Sequence, residues 1–240
     1  VNLISGGNGN DTLVATVDDV RDTFNGGAGI NTLDYSAYSA ALNVTLTAGG
    51  SVVVGGSGTT AANSDLFSTM TNFIGGSAGD TINGVAAASN DLSGGGGNDT
   101  LDGGTAGGIF VDTMRGGVGD DVFIVDNTDV VIELDAEGID RVETFLATYT
   151  LTDHVEDLTF RTAGAGVRTY TGNALDNNIT TSNGADFLDG GLGADTMTGG
   201  AANDTYFVDD VGDVVIEAPG AGGGASDLVR TSLTTYTLAD

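Results

Sequence analysis

Large apolar residues return along this chain at a nine-residue spacing, each preceded by glycine and aspartate and flanked by small polar residues. From Gly172 to Phe207 the spacing holds through four consecutive units, GNALDNNIT, TSNGADFLD, GGLGADTMT and GGAANDTYF, with Ile179, Leu188, Met197 and Tyr206 in the eighth place. A second block, Gly75 to Ile124, has apolar anchors Ile82, Leu92, Leu101, Met114 and Phe123, with two units lengthened by insertions, one of them around Thr105 to Val111. A third, Gly6 to Asp34, has Leu13, Phe24 and Leu33 around a degenerate middle unit. A period of nine fits neither a lone helix nor a collagen triplet; it is that of a stacked solenoid whose unit is one turn and one very short strand.

The segments between the blocks have another character. Residues 35–74 are rich in Val, Thr and Ala and alternate in LNVTLTA (Leu42 to Ala48), which predicts β-strand. Residues 125–171 contain DVVIE (Asp129 to Glu133) and YTL (Tyr149 to Leu151), and both recur after Val208, at Asp213 to Glu217 and Tyr236 to Leu238. A larger repeat of about 84 to 87 residues therefore overlies the small one. The best helix candidate is SDLFSTMTNF, Ser64 to Phe73. The expected organisation is all-β, with parallel β-roll or β-helix solenoid blocks at 1–34, 75–124 and 172–207. Interleaved β-strand modules are expected at 35–74 and 125–171, and a truncated second copy of the latter at 208–240. The chain reads as an excerpt of a longer protein, because it stops inside that second copy. No signal peptide opens it at Val1, so export is expected to rest on a removed or distant segment.

Composition narrows the chemistry. With 41 Gly, one Pro and no Cys, neither disulfides nor a thiolate zinc cluster staples the fold. The 34 acidic residues face six basic ones, all Arg, giving a net charge of −28. Such a surface repels nucleic acid and anionic membranes and attracts cations. His154, the single histidine, belongs to neither an HExxH motif nor a Ser and Asp partnership, so a surface or packing role is expected and no catalysis. Tyr35, Tyr38, Phe123, Phe145, Tyr149, Phe207 and Tyr236 are expected as core anchors rather than a carbohydrate platform.

In the unit G-G-x-G-x-D-x-U-x, where U is large and apolar, the first six residues form a turn and the last three a strand. Two units make one coil, so each sixth-position carboxylate lies over the one two units away, at the ~4.8 Å strand spacing. Two such charges repel by roughly 3 to 4 kcal/mol at an effective dielectric near 20. A hard cation that takes six to eight oxygens turns that repulsion into cohesion, using the Asp carboxylates and the carbonyls that Gly leaves unshielded. The candidate ligands are Asp11, Asp80, Asp99, Asp112, Asp121, Asp186, Asp195 and Asp204. Asn31, Asn90 and Asn177 hold equivalent positions, where a neutral oxygen implies weaker or vacant sites. Same-edge pairs are expected between Asp80 and Asp99, Asp99 and Asp121, Asp186 and Asp204, and Asn177 and Asp195. Asp126, Asp129, Asp209 and Asp213 are at least as well explained as caps and turns.

The nonamers, the missing Cys, the acidic balance and the DVVIE and YTL modules resemble the repeats-in-toxin (RTX) family of calcium-binding nonapeptide repeats. That resemblance implies a right-handed parallel β-roll, several calcium ions held by sixth-position Asp carboxylates and turn carbonyls, and type I secretion in an unfolded state. Folding then follows in external calcium. It also implies an extracellular or cell-surface setting, as in an adhesin or surface-layer protein, or else the carboxy-terminal module of an exported metalloprotease, lipase, epimerase or toxin. The expected partners are calcium ions, with self-association or a cell-surface contact beside them; nucleic acid and direct membrane insertion are not expected.

Overall fold

The structure, a computed structural model, describes residues 2–18, 20–47, 49–54, 64–104, 110–126, 129–162, 166–217 and 226–237. The chain forms two compact units, residues 1–132 and 133–240. The described residues of both are all-β, and both are parallel solenoids.

In the second unit one sheet takes, in spatial order, Arg141–Thr144, Asp157–Phe160, Asn178–Thr180, Thr196–Gly200 and Val214–Glu217. The other takes Thr148–Thr150, Thr169–Thr171, Phe187–Asp189, Thr205–Val208 and Leu228–Thr231. Successive nonamers therefore alternate between two sheets, as a two-unit coil requires. The eighth-position anchors stack in file: Leu158 pairs with Ile179 and Ile179 with Met197, while across the coil Tyr170 pairs with Leu188 and Leu188 with Tyr206. All six are buried. In a three-residue strand only the middle side chain points inward, so one large apolar residue per nonamer fills the space between the sheets.

The first unit repeats this plan, with Leu92 over Met114 in one sheet and Ile82, Leu101 and Phe123 in line in the other. Among the described residues one strand departs from it. Gly49–Val54 runs antiparallel between Leu42–Thr45 and Asp65–Ser68, a hairpin strand set into an otherwise parallel sheet. Beneath the neighbouring coils lies an aromatic cluster. Tyr35 packs on Phe73 with ring centroids 5.6 Å apart and on Tyr38 at 4.7 Å, and its hydroxyl donates to Asp65 Oδ2 at 2.5 Å.

Two expectations are corrected, the helix and several of the aromatic anchors. Ser64 to Phe73 is not a helix but two strands, Asp65–Ser68 and Asn72–Ile74, joined at Thr69, whose φ of 56° breaks any helical run. Burial there alternates with period two: Asp65 and Phe67 are inside and Leu66 outside. Phe145 is 44% exposed and carries the Arg161 guanidinium 5.6 Å from its ring, so it is a cation–π platform and not a core anchor. Phe207 and Tyr149 are half-buried, Phe207 beneath Arg230, whereas Tyr35, Tyr38 and Phe123 are core. The strands of the interleaved segments join the nonamer sheets directly: Val130–Val131 pairs with Thr113–Val118, and Val214–Glu217 with Thr196–Gly200. Residues 105–109 of the insertion, and Leu238 of the second YTL, lie outside the described residues.

Turn geometry explains where glycine is needed. Gly191 has φ +90°, and a Cβ there would lie 2.2 Å from the Asn173 carbonyl oxygen of the neighbouring coil. In the unit GGAANDTYF the fourth place is Ala202, held at φ 89° where an L side chain is strained. Ala202→Gly is therefore expected to stabilise the chain by about 1 kcal/mol, read as a higher urea midpoint at saturating calcium.

Candidate metal centre

The sixth-position residues lie at the turns beside the sheet edges, and all are buried except Asp11, which is half-buried. The structure brings the expected same-edge pairs together, in a way that simple carboxylate stacking does not describe. Backbone N–H groups of these residues donate to Oδ1 of the acidic or amide side chain one coil further on. Asp80 donates to Asp99 at 2.6 Å, Asp99 to Asp121 at 2.6 Å, Asp186 to Asp204 at 2.7 Å and Asn177 to Asp195 at 2.8 Å. Asn90 donates likewise to Asp112, and Asp11 to Asn31 Oδ1. The return bond is backbone to backbone: the Thr205 N–H donates to the Asp186 carbonyl, and the Val214 N–H to that of Asp195. A step that ends on aspartate is thus a two-bond clasp with one charged acceptor, the stronger kind of hydrogen bond.

The second carboxylate oxygen turns inward over the first glycine of its own nonamer. A Cβ built on Gly190 would stand 2.0 Å from Asp195 Oδ2; on Gly94, 2.0 Å from Asp99 Oδ2; on Gly6, 2.4 Å from Asp11 Oδ2. Asp121 lies over Gly116, Asp204 over Gly199, Asp112 over Gly103 and Asp80 over Gly75 in the same pose. The leading glycine is therefore required for clearance beneath a carboxylate rather than for its backbone angles. The Oδ2 atoms of Asp11, Asp186, Asp195 and Asp204 are buried and make no hydrogen bond. A buried anionic oxygen without a donor is a costly arrangement unless a cation meets it.

Where the ladder carries asparagine, both side-chain atoms find protein partners. Asn177 Oδ1 accepts from the Asn173 N–H at 2.8 Å, while its amide nitrogen donates to the Val155 and Glu156 carbonyls at 3.1 and 3.2 Å. Asn31 donates to the Thr69 carbonyl at 3.1 Å, and Asn90 to that of Thr71. At these three places an amide NH2 meets the carbonyl oxygens that a cation would otherwise draw on. Asp80 is likewise engaged on both oxygens, by the Leu42 and Gly76 N–H groups. Asp129 and Asp213 act as caps: Asp213 accepts from Asp195 on Oδ1 and from the Asp209 and Asp210 N–H groups on Oδ2.

Sequence reasoning missed several members of these edges. Asp22, Asp65 and Asp227 accept from the N–H groups of Asn2, Asp22 and Asp204 in turn. The signal was the fragment D-x-U, aspartate two residues before a strand's apolar residue, in DTF, DLF and DLV, where the glycines of the full motif are missing. Arg168 also stands in the ladder, donating its N–H to Asp186 Oδ1 at 2.6 Å while its guanidinium lies 3.8 Å from the Phe160 ring centroid. His154 sits half-buried at a turn with φ 65°.

Arginine does not neutralise these carboxylates. The ion pairs among the described residues are Arg115 with Asp91, Arg141 with Asp157 and Arg161 with Glu143, none involving a candidate ligand. Burial pushes the carboxyls of Asp112, Asp195 and Asp204 up to about 6, partly offset by the N–H bond each accepts and reinforced by neighbouring carboxylates.

Fold and site together define a parallel β-solenoid whose edges are ladders of buried aspartate. The family model of the RTX calcium-binding nonapeptide repeat matches in four copies, at residues 2–33, 106–127 and 171–206. The matched segments thus carry RTX calcium-binding nonapeptide repeats, set in a parallel β-solenoid. No curated protein matches it. The nonamers at 75–104 lie outside the matched segments, yet Asp99 has the same clasp and the same glycine floor. The residues fit the ion: Asp11, Asp186, Asp195 and Asp204 present oxygens that no protein donor meets, and Asp99, Asp112 and Asp121 repeat their pose.

These carboxyls give the metal-free chain a pH dependence of definite sign. Their folded pKa values lie above the unfolded value, so between about pH 4 and 6 the folded state binds more protons and loses stability as pH rises. In strong chelator the chain should therefore retain more β-structure by circular dichroism at pH 5 than at pH 7.5. With calcium present the order should reverse, because protons then compete with the ion.

Proposed function

We propose that the chain is a non-catalytic, calcium-stabilised structural roll of a secreted or cell-surface protein, of the adhesin or surface-layer kind, which folds when it meets calcium after export. The observation that carries this reading is the row of buried Oδ2 atoms without donors above glycine floors. Ion binding and folding are then one equilibrium, since the oxygens converge only in the stacked coils. The charge of −28 supports it further: a low-calcium cytoplasm would hold such a chain open by self-repulsion, and an ion-rich exterior would close it. A rigid, acidic solenoid suits reach and presentation.

The test is circular dichroism with light scattering during a calcium titration from zero to about 10 mM, a span that covers extracellular calcium modules, with magnesium as control. A transition from disorder to β-structure specific to calcium is expected. Asp195→Asn should keep the clasp, since the Asn31 side chain accepts the equivalent N–H bond from Asp11, yet lose an ion and raise the calcium needed at the midpoint. Asn177→Asp removes the amide donors and should make folding more calcium-dependent. Particle growth with calcium would favour the adhesin or surface-layer role, and a persistent monomer the accessory module of an exported enzyme. A chain fully folded in strong chelator and indifferent to calcium would overturn the reading.

A further inference from the structure

The second unit holds an acidic constellation that the nonapeptide pattern does not describe. Carboxylate oxygens of Asp204, Glu217 and Asp227 all lie within 4.8 Å of one another. They come from three different segments: a nonamer turn, the end of the DVVIE strand Val214–Glu217, and the residue before Leu228–Thr231. Asp204 is 1% exposed, and its Oδ1 accepts from the Asp186 N–H while its Oδ2 is buried without a hydrogen bond. That oxygen points into the constellation. A Cβ on Gly199 would meet the Tyr206 hydroxyl at 2.3 Å and Asp204 Oδ2 at 2.4 Å, so hydroxyl and carboxylate share one pocket above the glycine.

Tyr206 fixes the third ligand. Its ring is buried in the core; its hydroxyl accepts from the Gly199 N–H at 2.9 Å and donates to Glu217 Oε1 at 2.6 Å. Asp227 is fixed as well, since its Oδ1 accepts from the Asp204 N–H at 3.0 Å. Glu217 and Asp227 are exposed, so the pocket opens to water on one side and ends on a buried anionic oxygen on the other. Arg230, the arginine nearest in sequence, lies over the Phe207 ring and in no ion pair among the described residues.

We propose that Asp204, Glu217 and Asp227 form a distinct site for a hard divalent cation of the calcium class, in which a glutamate from outside the nonapeptides completes the coordination and Tyr206 acts as its positioning residue. All donors are oxygens, three carry charge, and the open side admits water, the set that calcium accepts in irregular geometry. The site joins the DVVIE strand to the last matched nonamer through an ion, and so locks the larger repeat onto the smaller one. The same residue types, Glu133 and Asp140, hold the corresponding places in the first copy of the larger repeat, and both are buried. The proposal rests on the calcium-stabilised reading, because Asp204 belongs to the ladder as well.

The test is equilibrium dialysis of the full chain against radioactive calcium, with circular dichroism to confirm folding. Glu217→Gln, an isosteric change at an exposed position, is expected to weaken one site at least tenfold and lower the bound count at moderate calcium by one. Tyr206→Phe, which keeps the buried ring, should weaken the same site. Asp195→Asn should remove a different ion and leave the Glu217-dependent one in place. If Glu217→Gln keeps the wild-type count and affinities, this site is overturned while the roll stands. If the wild-type chain binds no calcium, both are overturned.

Discussion

A buried aspartate with two unlike oxygens governs this molecule. One oxygen is taken by the backbone N–H of the neighbouring coil, and that bond sets the spacing and register of the sheet edge. The other is pressed inward, over a glycine for Asp11, Asp195 and Asp204 and in a unit led by Thr181 for Asp186, and at all four protein donors are missing. The first oxygen makes the solenoid specific, and the second makes it conditional on a cation. The rest follows: the leading glycine must lack a side chain, the strands need only three residues, and a single apolar anchor per nonamer suffices because the edges carry so much of the order.

The architecture was legible because period and chemistry agree. The anchors Ile179, Leu188, Met197 and Tyr206 recur every ninth residue and alternate sheets, so the two-unit coil could be counted from the sequence. The ladder was legible only where glycines announced it. Asp65 and Asp227 serve the same edges without the GGxG prefix, and their D-x-U fragments are too short to stand out from ordinary strand ends. The hairpin strand Gly49–Val54 carries no periodic signal that tells antiparallel from parallel pairing. The helix expected over Ser64 to Phe73 failed for a related reason, since a four-residue and a three-residue strand around a corner mimic helical spacing in a window of ten.

Asparagine in the ladder shows what a sequence motif conceals. From composition, Asn31, Asn90 and Asn177 are weakened aspartates. In the structure Asn177 is an alternative solution, with an amide hydrogen-bonded to Val155 and Glu156 where charge and ion would otherwise be needed. Arg168 goes a step further and brings a guanidinium into the same file. The edges thus mix ion-dependent and ion-independent joints, and their proportion sets how sharply the roll responds to calcium.

The charged half of each clasp also shares one direction. From Asp80, Asp99, Asn177 and Asp186 the N–H donates to the carboxylate of the coil that follows in sequence, while the Thr205 and Val214 N–H groups donate back to carbonyls of the coil before. Removing a coil from either side therefore strands one N–H and one acceptor. On the leading side that acceptor is a carboxylate and on the trailing side a neutral carbonyl, so a stack of such coils has chemically unequal ends, of which only the leading one bares an anion to water or a cation.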